Sequence, residues 1–198
     1  MIALKNVSKC LNDFTIPPFS YTFDNCLYQL NGENGSGKSV LLKIVAGLDK
    51  KIGGTITNDL ASRPILFLTN AGIGVPYLKI EDNILLSAKI LGVKLKKTDF
   101  KSLYSKESYL DTLYNQSSLG NQNKVGLALL FSENDYGLII LDESLNGLDQ
   151  KSTENILQRL RTLSLKRMCP IIFVSHVITL EDAIQVDIHH IVGGFEHE

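Results

Sequence analysis

The chain has 198 residues, 44% hydrophobic and 21% charged, with a formal net charge of −1. That length suits one domain with a subdomain and is enough to bury a proper core. A balance so close to neutral gives no strong field for nucleic acid or an anionic membrane surface. No apolar run approaches the ~20 residues needed to cross a bilayer. The three cysteines, Cys10, Cys26 and Cys169, lack C-x-x-C spacing and read as buried thiols, not as a disulfide or zinc framework. The first six residues carry no signal-peptide pattern. The expectation is a chain soluble by itself that reaches any membrane through a partner.

In chain order, residues 2–7 and 14–23 alternate in polarity, and the second stretch contains Pro17-Pro18. This predicts an antiparallel edge sheet, because proline is tolerated at edges. Residues 26–30 form an apolar run of the kind a buried strand makes. Directly after it comes Gly32-Glu33-Asn34-Gly35-Ser36-Gly37-Lys38-Ser39, a complete G-x-x-x-x-G-K-[ST] loop. Val40, Leu41, Ile44, Val45 and Leu48 then recur at helical spacing, with Gly47 placed as a stop. Strand, glycine loop, helix is the order that phosphate binding requires. Successive backbone N–H groups line a concavity, and a helix N-terminus points into it. Lys38 then reaches the β- and γ-phosphates, and the Ser39 hydroxyl takes a position on Mg²⁺. The nucleotide-binding candidates here are Gly32, Asn34, Gly35, Ser36, Gly37, Lys38, Ser39 and Val40.

Further short apolar runs at 64–68, 138–141 and 170–174, with a last one at 189–192, predict strands of a parallel sheet. Between them, residues 78–113 are more polar and helical in pattern, with Lys94, Lys96 and Lys97 in a solvated connector. Residues 76–125 therefore read as a helical insertion in an α/β core. The run at 138–141 closes on Asp142 and Glu143. Charges at that depth are costly unless they pair or coordinate metal. Asp142 is the candidate Mg²⁺ carboxylate. Glu143, one residue on, points elsewhere and is the candidate general base for an attacking water.

Leu141-Asp142-Glu143-Ser144-Leu145-Asn146-Gly147-Leu148-Asp149 resembles the L-D-E-P-T-N-G-L-D run of ATP-binding cassette (ABC) ATPases, with Ser144 and Leu145 in place of Pro-Thr. The resemblance makes Asp149 a D-loop residue at a dimer contact. Ile171-Ile172-Phe173-Val174-Ser175-His176 is similar to the family's switch strand, which implies a hydrogen bond from His176 to the γ-phosphate. Residues 117–128 resemble the S-L-G-x-x-x-[RK]-x-G-I-A signature of many exporters. By that likeness Ser118 and Gly120 open a helix over 121–131 and bind the γ-phosphate held by another subunit. Leu119 and Asn121 replace a glycine and the glutamine of the common form. Asn70 stands at the Q-loop position, where the family's amide touches Mg²⁺ and the membrane partner. Asn is one methylene shorter than the usual glutamine. Residues 77–84 resemble L-T-V-x-E-N-L, Val40 stands where a second hydroxyl normally follows Ser39, and Phe14 is the candidate for stacking on adenine.

The resemblance spans nearly the whole chain, with its motifs in the family's order. It implies an α/β P-loop NTPase core with a mainly parallel sheet, an N-terminal antiparallel edge sheet and a helical subdomain. The implied function is ATP hydrolysis, with ATP and Mg²⁺ as cofactors, by the nucleotide-binding subunit of an ABC transporter. The signature and the short interval from Asn70 to Ser117 resemble exporters. Implied partners are a second copy or a paralogous ATPase subunit, meeting head to tail, and an integral membrane permease. Nucleic acid is not among them, and the implied place is the cytoplasmic side of the membrane. Two alternatives stand beside this reading: a soluble ABC ATPase without a transporter, and a non-hydrolysing regulatory cassette.

Overall fold

A computed structural model describes residues 1–10 and 15–193. The chain divides into two compact units. The first comprises Met1–Phe67, Tyr136–Asp142 and the segment from Arg167 onward. The second comprises Leu68–Asp135 and Glu143–Lys166.

The first unit holds a three-stranded sheet in the order β2-β1-β4, built from β1 (Ile2–Cys10), β2 (Thr15–Phe23) and β4 (Gly53–Asn58). Both pairings to β1 are antiparallel. Pro17 and Pro18 lie on the edge strand β2, within a register irregularity between the pairs Val7–Phe19 and Lys9–Ile16, where a missing N–H costs least. A second sheet has the order β5-β6-β7-β3-β8. Its strands are β3 (Leu27–Asn31), β5 (Ile65–Thr69), β6 (Leu138–Asp142), β7 (Ile171–Val174) and β8 (Ile184–Asp187). The pairs β6–β7, β7–β3 and β3–β8 are parallel.

Helix α1 (Lys38–Val45) buries Leu41, Leu42, Ile44 and Val45. They join one core with Leu4, Val7 and Phe23 of the antiparallel sheet and with Leu30, Ile140 and Ile172 of the parallel one. Each such side chain removed from water contributes roughly 1.5–3 kcal/mol. This core fixes the direction in which α1 leaves β3, and so fixes the loop between them.

The second unit is helical. It contains α2 (Ile80–Leu91), α3 (Lys97–Phe100), α4 (Leu119–Leu127) and α5 (Gln150–Leu165), with short 3₁₀ turns between α3 and α4. Asn83 is buried on α2. Its side chain accepts from Val75 N and donates to the carbonyls of Val75, Leu78 and Lys79, fixing the approach to the helix. Arg159 on α5 donates to the carbonyls of Leu130 and Ser132, at 2.7 and 3.1 Å, where the α4 segment ends.

Three expectations change. The last strand is β8, at Ile184–Asp187, and residues 188–192 coil into α6 (Ile188–Val192). Asp187 caps that helix by accepting from His189 N, and Gly193, with φ 70°, stops it. The signature helix begins at Leu119, earlier than the 121 expected, because Ser118 takes the cap, and its last turn, Ala128–Phe131, tightens to 3₁₀. Of the cysteines, only Cys169 is buried, while Cys26 is half-buried and Cys10 is exposed. No helix among the described residues is long and apolar enough to cross a membrane.

Candidate nucleotide-binding site

The glycine loop runs from the end of β3 to the start of α1, within the first unit. Gly32 adopts φ 146°, and a Cβ there would stand 2.7 Å from Ile188 Cγ2 and 2.8 Å from Ser36 Oγ. Gly37 caps α1 in the left-handed region, with φ 79°, and offers no side chain to occupy the first-turn N–H groups. Those groups are left to an external acceptor, and the helix dipole favours an anion there. Asn34 and Gly35 are exposed at the loop's tip, while Ser36 and Lys38 are buried. Val40 is half-buried and packs on the core beneath the loop.

Lys38 Nζ donates to the carbonyls of Gly32 and Glu33, at 2.7 and 2.8 Å. The ammonium is thereby held inside the loop with one of its three donors left over. Ser36 Oγ is buried and has no hydrogen-bond partner among the described residues. A hydroxyl so placed is costly unless a ligand satisfies it, and a phosphate oxygen in the loop does so. The polyphosphate of ATP therefore fits the residues present.

Ser39 Oγ donates to Asp142 Oδ2 at 2.7 Å. The sequence places these residues far apart, and the strand order brings together the start of α1 and the end of β6. One hydroxyl and one carboxylate are hard oxygen donors. They suit Mg²⁺, which takes few protein ligands and completes its shell with phosphate and water. No group of three or more His, Cys, Asp or Glu side chains among the described residues forms a site for a metal held by protein alone.

His176 is exposed in the bend after β7, where Ser175 Oγ accepts from Val177 N and Ile178 N at 3.2 and 3.1 Å. Phe14 lies outside the described residues.

The remaining candidates lie in the second unit. Asn70 occupies an exposed turn after β5. Glu143 is half-buried and is one of three non-glycine residues with positive φ among those described, at 54°. The conformation turns the chain sharply away from the end of the strand. Ser118 caps α4, its hydroxyl accepting from Asn121 N at 3.3 Å. A Cβ on Gly120 would stand 2.5 Å from the carbonyl oxygen of Gly147, so α4 and the loop after Glu143 meet backbone to backbone.

Asp149 caps α5 and accepts from Ser152 N, Ser152 Oγ and Lys124 Nζ, at 3.0, 2.7 and 2.6 Å. Burial alone would raise its carboxyl, but the bonds from Lys124 and Ser152 prevail and hold it well below the usual carboxylate range. Lys124 was not singled out from the sequence. Its signal was its place at the [RK] position of the signature, just before the apolar run Val125-Gly126-Leu127-Ala128.

A family model described as ABC transporter matches residues 22–146. A relative named "probable sulfate/thiosulfate import ATP-binding protein", from Chlorella vulgaris, is 28% identical over 190 residues, covering 88% of this chain and 80% of that one. A spermidine/putrescine import ATP-binding protein from Mesorhizobium japonicum is 28% identical over 180 residues, which cover 82% of this chain. The chain spans about half of that protein, 49% of its length. Among solved structures, a bacterial ABC transporter cassette in dimeric form superposes with a TM-score of 0.73 at 22% identity. That match covers 100% of this chain and 98% of the cassette.

Proposed function

The chain belongs to the ABC transporter family, and on that premise we propose that it binds and hydrolyses ATP to power a separate membrane-spanning subunit. The observation that carries the reading is the 2.7 Å hydrogen bond from Ser39 Oγ to Asp142 Oδ2. It unites the hydroxyl of the glycine loop with the carboxylate of the acidic strand, the two protein oxygens that a magnesium nucleotide needs. When bound, Mg²⁺ neutralises charge on the β- and γ-phosphates.

The chain's own residues then divide the work. Gly32, Asn34, Gly35, Ser36, Gly37 and Val40 cradle the phosphates, Lys38 neutralises them, and Glu143 takes the proton of the attacking water. His176 holds the γ-phosphate, and Asn70 offers its amide to the metal and to the membrane partner beside a helical subdomain at 76–125. Ser118 and Gly120 of one copy face the nucleotide of a second copy or a paralogue, with the loop ending at Asp149 at the contact. The working place is the cytoplasmic face of a membrane, reached through a permease. The S-L-G signature resembles that of exporters, whereas the relatives named above are import proteins.

Phosphate release from MgATP tests the reading. Turnover should rise more steeply than protein concentration, and it should be lost in Glu143→Gln and Lys38→Ala, with ATP binding kept only in the former. A multi-span protein should co-purify in stoichiometric amount from detergent-solubilised membranes. Tight MgATP binding without phosphate release would favour a regulatory cassette, the reading to which Asn70, Leu119 and Val40 lean.

A further inference from the structure

We propose that Gln29 is a positioning residue for His176, an inference that rests on the role given to His176 above. Gln29 lies in the middle of β3, three residues before Gly32, and is 2% exposed. Its strand is flanked by β7 on one side and β8 on the other. A primary amide in such a place must spend both its donors and its acceptor well.

Gln29 spends one donor and its acceptor on the segment that follows His176. Its Nε2 donates to Ile178 O at 2.7 Å, and its Oε1 accepts from Leu180 N at 2.8 Å. Gln185, the cross-strand neighbour of Gln29 on β8, adds a donor to the same Oε1 at 3.3 Å and another to Leu180 O at 2.7 Å. Asn31 Nδ2 in turn donates to Gln185 Oε1 at 2.9 Å. The chain just past His176 is therefore clamped at residues 178 and 180 by the strand that carries the glycine loop.

The consequence is geometric. His176 leaves β7 in an exposed bend, and the chain that follows it is held by the Ser175 turn and by this amide clamp. Both the loop at Gly32 and the bend at His176 are referenced to one residue of one strand. Packing alone would be served by an apolar side chain of the same length, but that would leave Ile178 O and Leu180 N–H without partners. A purely structural role would act through stability. A positioning role acts on turnover through His176.

The test compares MgATP hydrolysis by the full chain in wild type, Gln29→Met, His176→Ala and the double variant. Gln29→Met should lower kcat about 10–100-fold, as expected when a reacting group is displaced by an ångström or so. KM should stay within about twofold, and the Leu180 amide should exchange with solvent faster. In the His176→Ala background the same change should cost no further kcat. If Gln29→Met fails to fold, Gln185→Leu, at an exposed position, removes the flanking support and is read by the same criteria. Normal kcat in Gln29→Met, or losses that multiply in the double variant, would overturn the proposal. Normal turnover in His176→Ala would overturn the reading of His176 itself, and the positioning role with it.

Discussion

Lys124 Nζ and Asp149 Oδ2 meet at 2.6 Å, with the lysine side chain 4% exposed on α4 and the aspartate 50% exposed at the start of α5. The Tyr104 ring lies 5.4 Å from the ammonium and adds a cation–π contact. The pair is asymmetric. Removing the aspartate strands a buried ammonium, whereas removing the lysine strands a carboxylate that water can reach. Asp149→Asn should therefore cost more stability than Lys124→Met, about 1–3 kcal/mol after discounting the buried-pair value for the exposed partner. The Asp149 carboxyl is held below its ordinary value of 3.8. A depressed folded-state pKa contributes stability that is present above the unfolded value and is lost as pH falls from there through the folded value. Urea unfolding of wild type and Asp149→Asn should thus differ at pH 7, and the gap should narrow progressively as pH falls below about 4. A gap that ignores pH would count against the ion pair.

The bond from Ser39 to Asp142 predicts that each residue matters chiefly when the metal is present. Ser39→Ala and Asp142→Asn should weaken MgATP binding at least about tenfold, the order of a lost charge-assisted contact, and leave ATP binding in chelator nearly unchanged. Lys38→Ala should abolish both, since its ammonium also holds the carbonyls of Gly32 and Glu33 in place. Titration calorimetry with and without Mg²⁺ decides this. An equal loss for Ser39→Ala in both conditions would remove the metal from the argument.

Glu143 combines a candidate base with a left-handed backbone at φ 54°. Glu143→Gln keeps the backbone and the hydrogen-bonding shape, so it should bind ATP, slow turnover ~10²–10⁴-fold and accumulate as an ATP-bound dimer. Glu143→Gly removes the base but relieves a conformation that costs an L-residue about 1–2 kcal/mol, against about 0.5–1 kcal/mol for glycine's extra chain entropy. Its melting temperature should be equal to or above that of wild type. A clear loss of stability in the glycine variant would mean that the side chain, not the turn, dictates the local fold.

Much of this was legible in the sequence, and the exceptions have physical reasons. The glycine loop, α1 and the strand closing on Asp142 were readable because strands buried on both faces leave continuous apolar runs, and because glycine at Gly32 and Gly37 marks required backbone conformations. β4 was missed because Gly53-Gly54-Thr55-Ile56-Thr57-Asn58 is mostly exposed and carries no apolar face. α5 was missed because it buries only Ser152, Ile156 and Leu160 along 16 residues. The last strand was displaced by one element because Ile188, Ile191 and Val192 are as apolar as a strand, and only the Asp187 cap and the Gly193 stop tell them apart. Gln29 was hidden in an apolar run, since composition cannot reveal that a buried amide reaches a loop some 150 residues later in the chain, at |i−j| of 149 and 151. The same holds for Lys124, whose partner Asp149 is 25 residues away.

Gly120 gives the most direct steric prediction. Its absent Cβ would sit 2.5 Å from the carbonyl oxygen of Gly147, which is backbone and cannot rotate away. A second tie between the same segments, Asn123 Nδ2 to Asn146 O at 2.9 Å, opposes any sliding of α4 along the loop. Gly120→Ala must therefore lift the first turn of α4 and carry the Ser118 hydroxyl with it, at about 1–3 kcal/mol for an overpacked contact. If Ser118 acts on the nucleotide of a second copy, the displacement should be felt there before it is felt at the chain's own glycine loop. In a Glu143→Gln background, Gly120→Ala should bind ATP as a monomer with near-normal affinity yet fail to form the ATP-dependent dimer on a sizing column. Adding Asn123→Ala should restore part of the dimer by letting α4 shift as a unit. Full dimer in Gly120→Ala would mean that the helix start tolerates the move, and that glycine there serves packing within the chain and not the shared site.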